Sequence, residues 1–256
     1  MLGRSKRLED IYIIPRPNLD VSLIKCDPDA LAETKRLEKI FFDAKKEDYL
    51  KKENHWKISY LNVRSLKSLD GHREDVLAND LLMKSDLMGL GETWLQDGDI
   101  VNFDQFTGHF ATFGTGKGVA GYSKLTLVDT PKVVATETCS AIFFKTQYFH
   151  VIFMYLSKDH SKNSVHSLLD EWIHNDMPTA ILGDVNENIF KRSAIEKYLA
   201  SKGFQQLIHD PTCSTGSTLD HIYVNQPLIQ KKIFSQLEAV YFSDHDVITL
   251  YVSKNE

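Results

Sequence analysis

The sequence predicts an α/β (α+β) protein in which two β-sheets pack face to face and helices cover their outer sides. Three observations lead there: short apolar or β-branched runs recur from Trp56 onward, some adjoin as hairpins, and fewer segments with helical periodicity lie between them. At 256 residues, 42% hydrophobic and 25% charged, the chain can bury one sizeable core. We expect two parts, an amino-terminal segment over residues 1–55 and a main domain over residues 56–256.

The amino-terminal part opens with an apolar run, Ile11 to Ile14, followed by Pro15 and Pro17. Asp27 then suits a helix N-cap with Pro28 at the first helical position, and Leu37, Ile40, Phe41 and Ala44 form one apolar stripe on a charged helix ending near Asn54. In the main domain the pattern predicts strands over 56–62, 87–92, 109–114, 118–124, 133–145, 147–157, 179–184, 219–225, 235–242 and 246–252. Thr146-Gln147 joins two long runs as a hairpin. Helices are predicted over Arg73 to Lys84, around Val165 to Ile173, and from the capping box Ser193-Ala194-Ile195-Glu196 to the stop at Gly203. Gly116-Lys117-Gly118-Val119-Ala120-Gly121 fits the spacing of a dinucleotide-binding loop, but a strand pattern follows where that loop requires a helix. A glycine-rich hairpin with Lys117 at its tip is the better reading.

Composition excludes several classes. No apolar run approaches the roughly 18 to 20 residues that cross a bilayer, and the amino terminus lacks a signal peptide's apolar stretch. We therefore expect an intracellular protein, located in the nucleus. Cys26, Cys139 and Cys213 are isolated, so neither a disulfide framework nor a zinc site is indicated. The net charge of −5 argues against binding nucleic acid by bulk electrostatics. Residues 1–55 hold 12 Lys+Arg against 11 Asp+Glu and residues 56–256 hold 18 against 24, so the acidic excess lies in the main domain.

Part of that excess sits where strands end. Leu61-Asn62-Val63, Gly91-Glu92-Thr93, Gly183-Asp184-Val185-Asn186 and Ser243-Asp244-His245 are polar segments, the first three closing apolar runs. Polar side chains at the carboxyl ends of buried strands are where sheet-based enzymes gather reactive groups. Glu92 and Asp244 are the expected ligands of a hard divalent cation, Mg²⁺ or, as the alternative, Mn²⁺, with Asn62 beside them. Asp184 can handle a proton of an attacking water or a leaving group, and Asn186 can orient that water without adding charge. His245 can donate to a phosphoryl oxygen, with Asp220, an aspartate inside an apolar run, as the partner that favours its charged form. Taken singly, each segment also has an ordinary reading: a solvated strand-end Glu, an Asp-x-Asn turn, a surface His.

Together, in this order, the segments resemble the endonuclease/exonuclease/phosphatase superfamily, over about residues 56–253. Leu61 to Leu66, Gly91-Glu92-Thr93-Trp94-Leu95, and Pro211-Thr212-Cys213 leading into Ser217-Thr218-Leu219-Asp220 look especially like the retrotransposon endonuclease branch. The resemblance implies a four-layer sandwich of two mixed sheets flanked by helices and Mg²⁺-dependent hydrolysis of phosphodiesters, with DNA as the expected partner and RNA as a further one. Where the family often carries Tyr-x-Pro-Asn, this chain has Tyr155-Leu156-Ser157-Lys158: Tyr155 matches and a lysine replaces the asparagine. Arg64, Lys117 and Lys158 are the expected phosphate contacts. Residues 1–45 resemble the carboxyl-terminal tail of Helitron-associated helicases, which implies origin in a larger helicase–endonuclease polyprotein; with no phosphate-binding loop in the sequence, no ATPase activity is expected. A phosphatase or phosphodiesterase of the same fold acting on a small-molecule or lipid phosphate, and a non-catalytic nucleic-acid-binding remnant, are the alternative readings.

Overall fold

A computed structural model of the chain describes residues 54–67, 71–174, 176–191 and 193–254. The expected strand at Ile11 to Ile14, the charged helix after Asp27, Cys26 and the helicase-tail resemblance lie outside the described residues.

Twelve strands form two six-stranded sheets. They are β1 (His55–Asn62), β2 (Leu87–Gly91), β3 (Thr107–Ala111), β4 (Val119–Ser123), β5 (Lys132–Ala135), β6 (Cys139–Lys145), β7 (His150–Leu156), β8 (Thr179–Asp184), β9 (Phe204–Gln206), β10 (Asp220–Asn225), β11 (Ile233–Glu238) and β12 (Val247–Ser253). The first sheet has the order β11-β12-β1-β2-β4-β3 and the second β5-β6-β7-β8-β10-β9. Each sheet has one parallel pair at its centre, β1 with β2 and β7 with β8, and antiparallel neighbours elsewhere. The two sheets are thus mixed and share one pattern of parallel and antiparallel pairing.

Three apolar layers hold them. Between the sheets pack Ile58, Tyr60, Phe144, Phe153, Leu182 and Ile248 among others. Outside the second sheet, Val165, Leu169 and Trp172 of the helix Lys162–Trp172 and Ile195 and Leu199 of the helix Ala194–Ser201 cover Phe143, Ile181 and Tyr223. Outside the first, Val76 and Leu82 join Leu61, Met88, Leu90 and Tyr122. Helix, sheet, sheet, helix is the four-layer order. The core strands are continuous apolar runs because both of their faces are covered.

The elements depart from the sequence pattern where a side chain redirects the backbone. The run predicted as one strand over 133–145 is two, β5 and β6, because Thr136 Oγ1 donates to the Cys139 carbonyl and accepts from the Cys139 N–H, closing a turn. The helix predicted over Arg73 to Lys84 splits at Asn79, whose side chain accepts from Leu82 N and starts a new turn, Asp80–Met83. The three-residue β9 was not predicted. At Ser193 the hydroxyl caps Glu196 N as expected, while Glu187, not Glu196, completes the cap by accepting from Ser193 Oγ, Ala194 N and Ile195 N. Among the described residues no helix is long and apolar enough to cross a membrane.

Candidate active site

The ends of β1, β2, β7 and β8 and the starts of β10 and β12 lie at one edge of the sandwich. Parallel pairing at the centre of each sheet causes this: β1 and β2 deliver Asn62 and Glu92 side by side, and β7 and β8 do the same for Tyr155 and Asp184. Antiparallel pairing then sets the first residue of β10, Asp220, opposite the last of β8, Asp184. A cleft of about 680 Å³ opens here, lined by Glu92, Tyr155, Asp184, Asn186, Asp244 and His245 among others.

Two glycines allow the strands to end so close together. A Cβ on Gly183 would lie 2.0 Å from the Met154 carbonyl oxygen, and one on Gly91 would lie 2.0 Å from the Tyr60 hydroxyl. Past them the chain turns sharply: Glu92, Trp94, Asn186, Arg64 and Ser65 all have positive φ, a conformation that costs on the order of 1 kcal/mol or more for non-glycine residues. Concentrated around one cleft, that strain is compensated by the hydrogen bonds the turned side chains make.

Asn62 is the junction. Fully buried, it donates through Nδ2 to Glu92 Oε1 at 3.0 Å and to Asp184 Oδ2 at 2.8 Å, while its Oδ1 accepts from Arg64 N. In this orientation it presents hydrogens, not oxygen, to the carboxylates. Its carbonyl accepts from Ser243 Oγ, which also accepts from His245 N and so fixes the Ser243-Asp244-His245 segment. Asp184 Oδ1 accepts from Asn186 N, and Asn186 Nδ2 donates to the Leu156 carbonyl, which leaves the Asn186 amide oxygen without a role in that bond. His245 Nδ1 meets Asp220 Oδ2 at 2.7 Å. Tyr155 donates from its hydroxyl to the Gly116 carbonyl, joining β7 to the glycine-rich loop.

Burial sets the electrostatics. Asp184 and Asp220 are essentially inaccessible, at 1% and 0%. Desolvation first, and then the Asp220 charge, push the Asp184 carboxyl far above the usual carboxylate range. For His245 burial alone would lower the imidazole pKa, but the charge and hydrogen bond of Asp220 outweigh it and raise the value to about 10, so this ring is an imidazolium at neutral pH. Burial, then the nearby Glu92 and Asp184 charges, also raise the Tyr155 phenol, which stays protonated.

A cation has two candidate homes. Asp184, Asp220 and His245 bring ligand atoms within 4.8 Å of one another. Yet a 2.7 Å contact between Nδ1 and Oδ2 is already a hydrogen bond, and Mg²⁺ takes oxygen rather than imidazole nitrogen. The Glu92 and Asp244 side fits a hard cation better. Asp244 Oδ2 pairs with Arg64 Nη1 at 3.0 Å, but Oδ1 is buried and has no hydrogen-bond partner among the described residues. An orphaned carboxylate oxygen is costly unless a positive charge meets it.

Of the expected residues, Glu92, Tyr155, Asp184, Asn186, Asp244 and His245 line the cleft, while Asn62 and Asp220 are fully buried behind it and reach it through their hydrogen bonds to Glu92, Asp184 and His245. Arg64 and Lys158 line it, whereas the Lys117 ammonium lies 5.3 Å from the Phe113 ring centre and is outside the lining set. The sequence reading missed Thr212, whose Oγ1 accepts from Leu219 N and Asp220 N, and it missed Asn188, Lys191 and Cys213, which line the wall. A threonine after proline carries no periodic signal, and exposed loop residues carry none either. His221 is a packing residue: buried, with Nδ1 on the Tyr223 hydroxyl and Nε2 on the Thr218 carbonyl.

Fold and site together define a hydrolase of phosphate esters: two mixed sheets in four layers and, at one edge, carboxylates, amides and an Asp-paired histidine around an open cleft. Residues 60–245 match the model of the "Endonuclease/Exonuclease/phosphatase family", and the chain belongs to that family, a hydrolytic enzyme acting on phosphodiester bonds. Among solved structures, the endonuclease domain of TRAS1, a telomere-specific non-LTR retrotransposon, superposes with a TM-score of 0.58 at 15% identity, covering 79% of this chain and 100% of that one. The 3'-5' exonuclease NExo from Neisseria meningitidis gives 0.59 at 18% identity, with 77% and 99% covered. An AP endonuclease from Archaeoglobus fulgidus gives 0.59 at 18%, with 77% and 98% covered. No curated protein matches the sequence.

Proposed function

We propose that this hydrolase is a Mg²⁺-dependent DNA endonuclease of transposon origin. The observation that carries the reading is the Asn62 amide bridging Glu92 and Asp184 in the same cleft as the His245–Asp220 pair. The likeness in fold to a retrotransposon endonuclease, the segments Leu61 to Leu66 and Gly91 to Leu95, and the helicase-tail resemblance of residues 1–45 support the origin.

Glu92 and Asp244 would hold the metal, and when bound it would supply charge neutralisation at the phosphoryl oxygens. Asn62, as oriented, positions the two carboxylates rather than ligating. Asp184, as a carboxylate whose proton affinity burial has raised and whose two oxygens are fixed by the Asn62 amide and the Asn186 N–H, would take a proton from the attacking water. Asn186 orients that water through its amide oxygen. Since Asp220 takes Nδ1, His245 turns Nε2 to the cleft, where an imidazolium N–H offsets the charge that builds on the phosphoryl oxygen. Arg64 and Lys158 contact flanking phosphates.

The test is conversion of supercoiled plasmid to open circles with and without Mg²⁺, beside Asp184→Ala. Metal-dependent nicking that the variant loses is expected. Equal nicking by the variant, or none by the wild type, refutes the reading, and release of phosphate from a small monoester in place of nicking moves it to a phosphatase.

A further inference from the structure

Beyond the catalytic groups, the wall after β8 has a property the reaction itself does not need. The chain there runs Asn186-Glu187-Asn188 into a single 3-10 turn, Ile189–Lys191. Phe190 on that turn is 63% exposed, in a protein whose phenylalanines are otherwise mainly core. Behind the turn lies a second hollow of about 240 Å³, lined by Lys162, Glu187, Asn188, Lys191, Ser193 and Ala194. Asn188 and Lys191 line both this hollow and the main cleft, so the two are one continuous surface.

Charge follows the same path. Lys84, Lys132, Lys145 and Lys202 each have a carboxylate within ion-pair distance, but Lys158, Lys162 and Lys191 have none among the described residues. Three uncommitted ammonium groups thus run from the cleft into the hollow. The one carboxylate there, Glu187, is already occupied: Oε2 accepts from Ser193 Oγ, Ala194 N and Ile195 N, and Oε1 lies 3.3 Å from His160 Nε2. The N–H groups that begin the helix Ala194–Ser201 are spent on the same bonds, so the lysines and the Asn188 amide are the groups left to meet an anion.

We propose that Phe190, Lys191 and Lys162 form a second substrate subsite that stacks an unpaired base and holds the phosphate next to it. The proposal rests on the reading that the cleft takes a nucleic-acid strand, and it specifies that strand: single-stranded on the β8 side of the scissile bond. An exposed aromatic side chain on the same turn as Lys191 suits bases released from pairing, because every base offers a π-face and each linkage one negative charge. A paired duplex carries the charge but withholds the π-face, since its bases are stacked on one another.

Binding of a fluorescent single-stranded oligothymidylate to the full chain, read by anisotropy in Mg²⁺-free buffer at several salt concentrations, tests it. Phe190→Ala should weaken binding on the order of tenfold and Phe190→Trp should restore it. The pair Lys162→Gln and Lys191→Gln should flatten the slope of log affinity against log salt by about 0.7 for each lysine. Fully duplex DNA of the same length should not respond to the Phe190 changes, because its bases have no free face to stack. If the wild type binds single strands and nicks plasmid while the Phe190 and lysine variants bind as it does, the subsite is wrong and the endonuclease reading stands. If Phe190→Ala weakens duplex as much as single strands, the wall is a general contact and the proposal fails. A wild type that binds no nucleic acid at all overturns both.

Discussion

The two sheets share one pattern of pairing, with a parallel pair at each centre, yet they equip the site differently. The first contributes Glu92, on strongly turned backbone, and, just before β12, Asp244: carboxylates partly open to solvent. The second contributes Asp184 and Asp220, both sealed from water and facing each other across the β8–β10 register. One topology thus presents charge to the outside and the other confines it. Accessible oxygens can meet a hydrated ion, whereas confined ones have their proton affinity reset by burial. In the mechanism we propose, dividing the labour between sheets keeps cation and proton chemistry adjacent without mixing their requirements.

That division can be broken from the confined side first. Asp184→Asn keeps the shape and removes the proton acceptor, and nicking should fall by about 10²- to 10⁴-fold, with plasmid binding little changed. Glu92→Gln, on the open side, should instead raise the Mg²⁺ concentration needed for half-maximal nicking. A metal titration that gives both variants the same midpoint would erase the distinction between the sheets.

The glycines sharpen the comparison. Gly183→Ala drives a Cβ into the Met154 backbone, which cannot yield, and should cost about 3 kcal/mol or more in urea unfolding. Gly91→Ala collides with a side-chain hydroxyl, that of Tyr60, and should cost about 1–3 kcal/mol, part of which Tyr60→Phe recovers in the double variant. Absence of that rescue would mean that the strand ends are set by something other than this approach.

Acidity supplies a further effect. His245 has a folded pKa near 10, above the unfolded value of roughly 6.5, so its pairing with Asp220 stabilises the protein fully below about pH 6.5 and progressively less as pH rises toward 10. Wild-type melting temperature should decline across that window, and Asp220→Asn, which removes the anion, should flatten the decline. Smallest is Thr212→Val, which deprives Leu219 N and Asp220 N of their acceptor and should cost about 1 kcal/mol.

Much of this arrangement was legible before any coordinates. Asn62, Glu92 and Asp184 stand where apolar runs stop, and a buried strand that ends in a polar group advertises that group. Asp220 betrayed itself as a charge inside a core strand. What escaped were features with no period. The turn at Thr136 is made by a β-branched residue that reads as strand, the helix break at Asn79 by a cap inside an apolar stripe, and Phe190 and Lys191 sit on an exposed turn. Thr212 acts through its hydroxyl on a backbone seven and eight residues away, a relation visible only after folding. Asn62 was expected near a cation, and the direction of its amide could come only from its neighbours.

The Tyr155 hydroxyl reaches from β7 in one sheet to the Gly116 carbonyl in a loop of the other. Gly114, Gly116 and Gly118 in that loop all have positive φ, and its backbone receives Trp94 N just beyond Glu92. A single phenol therefore acts as a strut across the seam, so that any slippage of one half against the other would be felt at once as a change in the width of the cleft.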